Sequence, residues 1–188
     1  MTPADPGFDD GALAAQTLAG SEAAFATLMQ RHRSRVYRLI LNSVADPDEA
    51  LDLVQETFLS AYRALGRYDG TRPMSAWLAT IALNKCRDHA RRRALRRFFF
   101  GARTIDDVAD TLAAGDPDQA RAAEHRQEAA RLRAALSLLP ATLREPLLLC
   151  TVEEMRQSEA AALLGISTKA VETRIRRARA KLAELLGG

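Results

Sequence analysis

The sequence is poor in the residues that build disulfide frameworks and metal sites. Its two cysteines, Cys86 and Cys150, lie far apart and lack the paired spacing of a zinc motif. We therefore predict two reduced thiols in a cytoplasmic protein. His32, His89 and His125 are scattered, and no Gly-rich phosphate loop or His/Cys/carboxylate spacing is present. The sequence thus predicts a protein that is not an enzyme and has no catalytic residues, metal or cofactor.

Long apolar runs and an export signal are also missing. No apolar stretch approaches the ~20 residues of a membrane-spanning helix, although 47% of the 188 residues are hydrophobic. The amino terminus has no basic segment followed by an apolar one, so nothing marks the chain for export. We expect a soluble, cytoplasmic protein without membrane insertion, which buries one or two small cores.

Strand patterns are absent as well, and helical periodicity replaces them. We predict an all-α protein of two small helical domains. Residues 1–10 form a disordered tail, 11–97 the first domain, 98–119 an acidic linker and 120–188 the second domain. Within the linker, Phe98, Phe99 and Phe100 are costly to expose and are expected to pack back on the first domain or to await a partner.

The basic residues are concentrated locally, since the net charge is only +3 while the isoelectric point is about 9.2. One basic segment is 157–186, which predicts two helices joined by a turn at Gly165. Ser158 is the expected N-cap of the first helix, and Ser167 or Thr168 that of the second. The apolar face of the second helix is formed by Val171, Ile175, Ala178 and Leu182.

This helix–turn–helix pattern is typical of DNA-binding proteins, in which the second helix enters the major groove. The alternative is an antiparallel helical hairpin with a solvated basic face. A further helix of the same domain is predicted from about Leu143 to Val152, with Pro146 in its first turn.

In the first domain, Asp46 and Pro47 open a helix that runs to about Leu65. Its predicted inward residues are Leu51, Val54, Phe58, Leu59 and Tyr62. Its outer face carries Asp52, Gln55 and Glu56. That acidic and amide face is either solvent decoration or a docking surface for a basic partner.

The other basic segment follows a loop at residues 68–73, which contains an Asp-Gly turn signal. The long helix after it has an apolar stripe and then a run of arginines. A basic helix beside a loop with an aromatic residue is a surface that binds single-stranded nucleic acid by phosphate pairing and stacking. Alternatively, the arginines form a solvated helix end.

Several blocks together resemble the extracytoplasmic-function sigma factors, the two-domain initiation subunits of bacterial RNA polymerase. These blocks are DLVQETFLSAYRAL, YDGTRPMSAWL, IALNKCRDHARRR, LSLLPATLREPLLL and EAAALLGISTKAVETRIRRARAKL. The resemblance runs in order from Leu13 to Leu186. It implies a protein that binds core RNA polymerase and directs promoter recognition, DNA melting and initiation for a specific stress or envelope regulon. It also implies an anti-sigma factor as a partner.

The resemblance also implies functional residues. For the polymerase they are Asp52, Gln55 and Glu56. For the single-stranded minus-ten element they are Tyr68, Asp69, Gly70, Thr71, Arg72, Asn84, Lys85, Arg87, Arg91 and Arg92, with the loop and Asn84 capturing a flipped base. For the duplex minus-thirty-five element they are Lys169, Thr173, Arg174, Arg176, Arg177 and Arg179.

The sequence departs from the family pattern at residues 156–158, which open the first helix of the helix–turn–helix, and at Glu172. Many relatives carry a basic residue at the position of Glu172, which either accepts from a cytosine amino group or pairs with Arg176.

The rival class is an ordinary DNA-binding regulator with a similar carboxy-terminal helix–turn–helix. It would require a receiver or ligand-binding domain with strands at the amino terminus, and 13–97 show no strand pattern.

Overall fold

The computed structural model describes residues 9–100 and 117–187, and these residues contain eight α-helices and no β-strand. The helices are α1 (Asp10–Leu18), α2 (Glu22–Val44), α3 (Pro47–Ala64), α4 (Met74–Phe100), α5 (Pro117–Leu138), α6 (Ala141–Thr151), α7 (Gln157–Leu164) and α8 (Thr168–Leu186). The predicted all-α fold is therefore confirmed. Among the described helices, none combines the length and the apolar character that crossing a membrane requires.

The first domain consists of α1 to α4, and short polar side chains start its helices. The backbone N–H of Ala12 donates to Asp9 Oδ1 over 2.6 Å, and Asp46 accepts from the first turn of α3. Helix α2 packs against α1, α3 and α4. The centre of this domain is formed by the fully buried side chains of Leu13, Leu39, Ile40 and Leu83.

The buried face of α3 differs from the predicted one. Val54 and Phe58 are buried as expected, but Leu51, Leu59 and Tyr62 are 40%, 51% and 48% exposed. Ala50, Leu53, Thr57 and Ala61 take the other inward positions of α3. The buried face of the helix is therefore narrower than the face that its large apolar residues cover in the sequence. Leu51, Leu59 and Tyr62 were therefore wrongly predicted to face the core.

The second domain consists of α5 to α8, and α8 packs against α5, α6 and α7. Gly165 ends α7 in the left-handed conformation at φ +65°. Ser167 caps α8, since its hydroxyl accepts from the backbone N–H of Ala170 over 3.2 Å. The predicted core face is confirmed for Val171, Ile175 and Ala178, and Leu182 is half-buried at its end.

Two predicted details of this domain were wrong. Helix α7 begins at Gln157, so Ser158 lies inside the helix, and the helix start is instead closed by Glu159, which accepts from the backbone N–H of Arg156 over 2.8 Å. Helix α6 begins at Ala141, which places Pro146 in the second turn.

The two domains meet where α2 contacts α5 and α6, and where α4 contacts α6. Helix α4 continues to Phe100 and α5 starts at Pro117, so helix covers three residues at each end of the segment 98–119. The rest of that segment and the tail residues 1–8 lie outside the described part. Phe98 and Phe99 are 85% and 70% exposed, and thus do not pack on the first domain.

Candidate nucleic-acid and polymerase interfaces

The loop between α3 and α4 is held in shape by its own side chains. Asp69 Oδ1 accepts from the backbone N–H and the hydroxyl of Thr71 over 3.0 and 2.8 Å. The Tyr68 hydroxyl donates to the carbonyl oxygen of Arg72 over 2.6 Å. Hydrogen bonds from Thr71 are the main reason that the pKa of Asp69 is lowered. The loop is therefore organised before any ligand binds.

An aromatic pair joins this loop to α4. The rings of Tyr68 and Trp77 lie 5.3 Å apart and are inclined at 49°. Burial is the main reason that the pKa of the Tyr68 hydroxyl is raised. Gly70, Thr71 and Arg72 remain exposed at the tip. The backbone groups of the tip and the guanidinium of Arg72 are thus exposed to solvent, while the start of the loop is anchored by the packing of Tyr68 on Trp77.

Farther along α4, two of the predicted basic residues form ion pairs with one acidic residue of α3, Glu56. Lys85 Nζ lies 3.6 Å and Arg92 Nη2 3.8 Å from Glu56 Oε2. Glu56 is one of the three residues predicted to contact the polymerase, and it is half-buried between these cations. Arg91 instead pairs with Asp88 on α4 itself.

The outer face of α3 has a mixed chemical character. Asp52 and Gln55 are exposed, as the docking prediction requires. The exposed side chains of Leu51, Leu59 and Tyr62 lie beside them. A surface of large apolar side chains rimmed by polar groups is typical of protein–protein interaction sites.

The exposed side of α8 carries the predicted basic set. Lys169, Arg176, Arg177 and Arg179 are exposed, and Thr173 and Arg174 are half-buried. Lys169 Nζ pairs with Glu172 Oε2 over 3.0 Å. Glu172 thus pairs with the residue three positions before it, and the predicted pair with Arg176 is not formed.

Arg87 and Asn84 form a cluster with the second domain. The Arg87 guanidinium donates through Nε to Glu145 Oε1 over 2.6 Å, and its Nη2 donates to Oε2 of the same carboxylate. Its Nη1 donates to Asn84 Oδ1 over 3.0 Å. The pKa of Arg87 is raised mainly by its hydrogen bonds to Glu145.

A second ion pair crosses between the domains. Arg35 of α2 donates through Nε to Glu153 Oε2 over 2.7 Å, and its Nη2 donates to the Glu153 carbonyl. Glu153 follows α6 and is only 3% exposed. Burial raises the pKa of its carboxyl group, while Arg35 acts in the opposite direction.

Both parts of the chain match known families. The Sigma-70 region 2 family matches residues 28–96, and the Sigma-70 region 4 family matches residues 129–182. The RNA polymerase sigma factor CnrH of Cupriavidus metallidurans is 41% identical over 188 residues, which cover 99% of this chain and 97% of CnrH. This chain belongs to the extracytoplasmic-function sigma factors. The sigma factor therefore serves in transcription initiation as a regulatory subunit and is not itself an enzyme.

Other relatives agree with this assignment. The RNA polymerase sigma factor NccH of Alcaligenes xylosoxydans xylosoxydans is 38% identical, with 97% of this chain and 96% of NccH covered. Among solved structures, CnrH in complex with the cytosolic domain of CnrY matches with a TM-score of 0.69, 36% identity, and coverage of 97% of this chain and 98% of that one. RpoE of Bartonella quintana in complex with the anti-sigma factor NepR matches with a TM-score of 0.67 and 26% identity, covering 87% and 96%.

Three residues of the interdomain contacts were missed by the sequence analysis of this sigma factor. Arg35 is one of several arginines on α2, and nothing in their spacing along the helix distinguishes the one that meets a buried carboxylate. Glu145 lies inside the apolar helix α6 and Glu153 lies two residues after it, and helical periodicity alone does not distinguish a buried carboxylate from an exposed one. The one feature of the sequence that could have indicated a buried carboxylate is a glutamate directly beside an apolar run, such as Glu145 before Pro146 and Leu147.

Proposed function

We propose that this sigma factor binds core RNA polymerase through the outer face of α3 and then recognises a promoter at two elements. In this proposal, the loop at residues 68–72 and the adjoining part of α4 bind the single-stranded minus-ten element. Helix α8 enters the major groove of the minus-thirty-five element. The two domains thus provide promoter recognition and strand opening to a polymerase that lacks both.

The observation that carries this proposal is the preorganised loop at the start of a basic helix. Extruding a base from the duplex costs a few kcal/mol, and a loop already held by Tyr68, Asp69 and Thr71 spends little further free energy on ordering itself. Backbone groups at its exposed tip and the Asn84 amide supply donors and acceptors for the edge of a base. Lys85, Arg91 and Arg92 provide charge for adjacent phosphates.

The exposed stripe on α3 supports the polymerase contact. Leucine and tyrosine side chains supply buried apolar area when a partner binds, while Asp52 and Gln55 supply polar contacts at the rim. Since the polymerase and the promoter are in the cytoplasm, we infer that this is where the sigma factor acts. We also infer an anti-sigma partner, because CnrH and RpoE were both solved bound to other proteins, CnrY and the anti-sigma factor NepR.

Run-off transcription tests the proposal directly. Purified core polymerase is given a pool of promoter fragments from the source genome, with and without this protein. We expect transcripts that appear only with the protein and that share two spaced upstream elements. Tight binding of duplex DNA by the protein alone, without any transcripts, would instead indicate an ordinary regulator.

Substitution of Asn84 tests the minus-ten assignment. We expect Asn84→Ala to reduce open-complex formation, read by permanganate reactivity of unpaired thymines, much more than it reduces binding of duplex promoter by the holoenzyme. The physical reason is that the amide is needed only once a base has left the stack. Asn42→Ala on α2 is the matched control, because the Asn42 side chain donates only within its own helix, to the Arg38 carbonyl. If both variants open the promoter equally well, Asn84 is not part of the minus-ten site.

Substitution of Arg176 tests the minus-thirty-five assignment. If its guanidinium contacts a base, Arg176→Ala should weaken selection of the preferred element by about 1–3 kcal/mol and relax the preference at one position. Lys181→Ala is the control on the same helix, since Lys181 already pairs with Glu184 over 3.4 Å. Competition assays with single-base promoter variants measure the effect. An equal loss at all promoters would make Arg176 a phosphate contact.

A further inference from the structure

A cavity of about 470 Å³ lies between the first domain and the second. One wall is formed by the start of α4 and the residues just before it, including Arg72 and Trp77. The other wall is formed by α7 and by residues 153–155, which lie between α6 and α7 and form the α6–α7 turn. Small-molecule sites typically enclose roughly 300–1,000 Å³. Of the lining residues, only Arg72 belongs to the sets proposed to contact the polymerase or the promoter.

Both walls of the cavity have apolar surfaces. Trp77 lines it from α4, whereas Met155 and Leu163 line it from the second domain. All three side chains are half-buried, and the Trp77 ring is supported from behind by Tyr68, whose ring lies 5.3 Å away. An apolar or aromatic group that enters the cavity therefore removes apolar surface of both domains from water.

The charges around the cavity are predominantly negative. The carboxylates of Glu153, Glu154 and Glu159 line the wall formed by the second domain. Among the described residues that line the cavity, Arg72 alone carries a positive charge. Its Nε lies 3.9 Å from Asp69 Oδ2, which partly offsets that charge. A cavity with this balance attracts cations and repels phosphates and carboxylates.

The α6–α7 turn contains a carboxylate oxygen whose hydrogen-bonding capacity is unused. The backbone N–H of Met155 closes the turn by donating to the Leu149 carbonyl over 3.0 Å, and Glu154 adopts the left-handed conformation at φ +52°. Glu153 is only 3% exposed, and Arg35 donates to its Oε2, but Oε1 has no hydrogen-bond partner among the described residues. A buried acceptor without a donor costs free energy. An N–H donor at this wall would remove that cost.

We propose that this cavity binds a small organic cation, whose ammonium group pairs with the carboxylates of the α6–α7 turn and whose apolar body packs against Trp77 and Met155. The carboxylates favour a cation over an anion. The apolar walls favour an amine with an alkyl or aromatic body over an inorganic ion. The site is separate from the proposed polymerase and promoter contacts, so its tests need neither polymerase nor DNA.

Intrinsic fluorescence of the full chain tests the site, because Trp77 is the only tryptophan in the sequence. The probe is 3-phenylpropylamine. The matched control is 4-phenylbutyrate, which has the same phenylpropyl body and a carboxylate in place of the ammonium. We expect a saturable change in Trp77 emission with the amine and roughly tenfold weaker binding of the carboxylate. Equal affinities, or no saturable change with up to about 10 mM amine, would overturn the proposal.

Removal of carboxylates tests the role of charge. We expect the double variant Glu154→Gln with Glu159→Gln to bind the amine roughly tenfold more weakly, since two exposed ion pairs are lost. Glutamine at position 159 retains the acceptor that closes the start of α7. The control, Glu172→Gln with Glu184→Gln, removes two exposed negative charges from α8, outside the cavity. Equal weakening by both double variants, or unchanged binding by the first, would contradict the proposed recognition.

A substitution that fills the cavity tests its location. Ala162 of α7 lines the cavity and is exposed, so Ala162→Phe should occupy the space and abolish the change in Trp77 emission on addition of the amine. Ala183→Phe introduces the same side chain at an exposed position of α8 outside the cavity, and it should bind the amine like the wild type. Far-UV circular dichroism verifies that both variants are folded. Wild-type affinity in folded Ala162→Phe would place the amine elsewhere and overturn the proposal.

Discussion

Cys86 and Arg87 are adjacent residues of α4 that lie in opposite environments. Cys86 is 4% exposed, and burial raises the pKa of its thiol to about 11. Arg87 lies at the domain boundary, where its ion pair with Glu145 stabilises the charged form. The environment of Cys86 therefore keeps its thiol neutral, whereas that of Arg87 keeps its guanidinium charged.

The raised pKa of Cys86 predicts that its thiol reacts slowly with thiol reagents. At pH 8 the thiolate fraction of a group with a pKa of about 11 is roughly 10²-fold lower than that of an ordinary cysteine. We expect Cys86 in the Cys150→Ser variant to react with Ellman's reagent at least about 10²-fold more slowly in the native protein than in urea.

The single-thiol variant Cys86→Ser provides the comparison, since Cys150 is half-buried. Native and denatured rates that coincide for Cys86 would show that its thiol is accessible and ionises normally.

At the scale of the helices, α3 shows how an apolar pattern divides between core and surface. Leu53, Val54 and Phe58 face α2 and α4, whereas Leu51 and Leu59 face solvent. The apolar residues cover more of the helix circumference than the core of one small domain requires. The apolar side chains that the core leaves exposed on α3 are those assigned to the proposed polymerase contact.

Helix α6 provides the apolar centre of the second domain, and its leucines offer a stability test. Leu149 is fully buried, so Leu149→Ala should lower the free energy of unfolding by about 2–5 kcal/mol through lost burial and the cavity left behind. Urea denaturation followed by circular dichroism measures the change.

Leu138→Ala makes the same chemical change at a side chain that is 70% exposed, and it should cost less than about 0.5 kcal/mol. Similar losses for the two variants would contradict the burial of α6 in the second domain.

At the scale of the whole molecule, the buried carboxyl of Glu153 couples stability to pH. Burial raises its pKa in the folded protein, so the folded state binds the proton more readily than the unfolded state does. The contribution of Glu153 to stability is therefore greatest below its unfolded pKa, and it is lost as the pH rises through the folded pKa.

We accordingly expect wild type to gain stability relative to Glu153→Gln as the pH falls from neutral toward the ordinary pKa of a glutamate. Urea midpoints across that range measure the difference, with Glu128→Gln as the control for an exposed carboxylate. The opposite trend, with wild type weakening relative to Glu153→Gln on acidification, would show that the attraction of Arg35 outweighs the burial of the carboxyl.

Local patterns were sufficient for the helical fold, for Asp46 as a cap, for the turn at Gly165 and for the buried face of α8. Each of these depends on residues within one or two helical turns, so the sequence alone carries the information. Family membership was also predictable, because ordered blocks of residues are preserved along the chain. The sequence by itself therefore determined these features.

Only the tertiary structure decided which leucines of α3 face outward and which arginines meet a carboxylate. Arg35 and Glu153 are 118 residues apart, and Arg87 and Glu145 are 58 apart. Whether a charge is solvated or paired depends on what the fold places opposite it, and helical periodicity contains no information about that neighbour. For the same reason, the acidic face of Glu56 and the basic face of Lys85 and Arg92 were predicted as separate sites, and the fold brings them into contact.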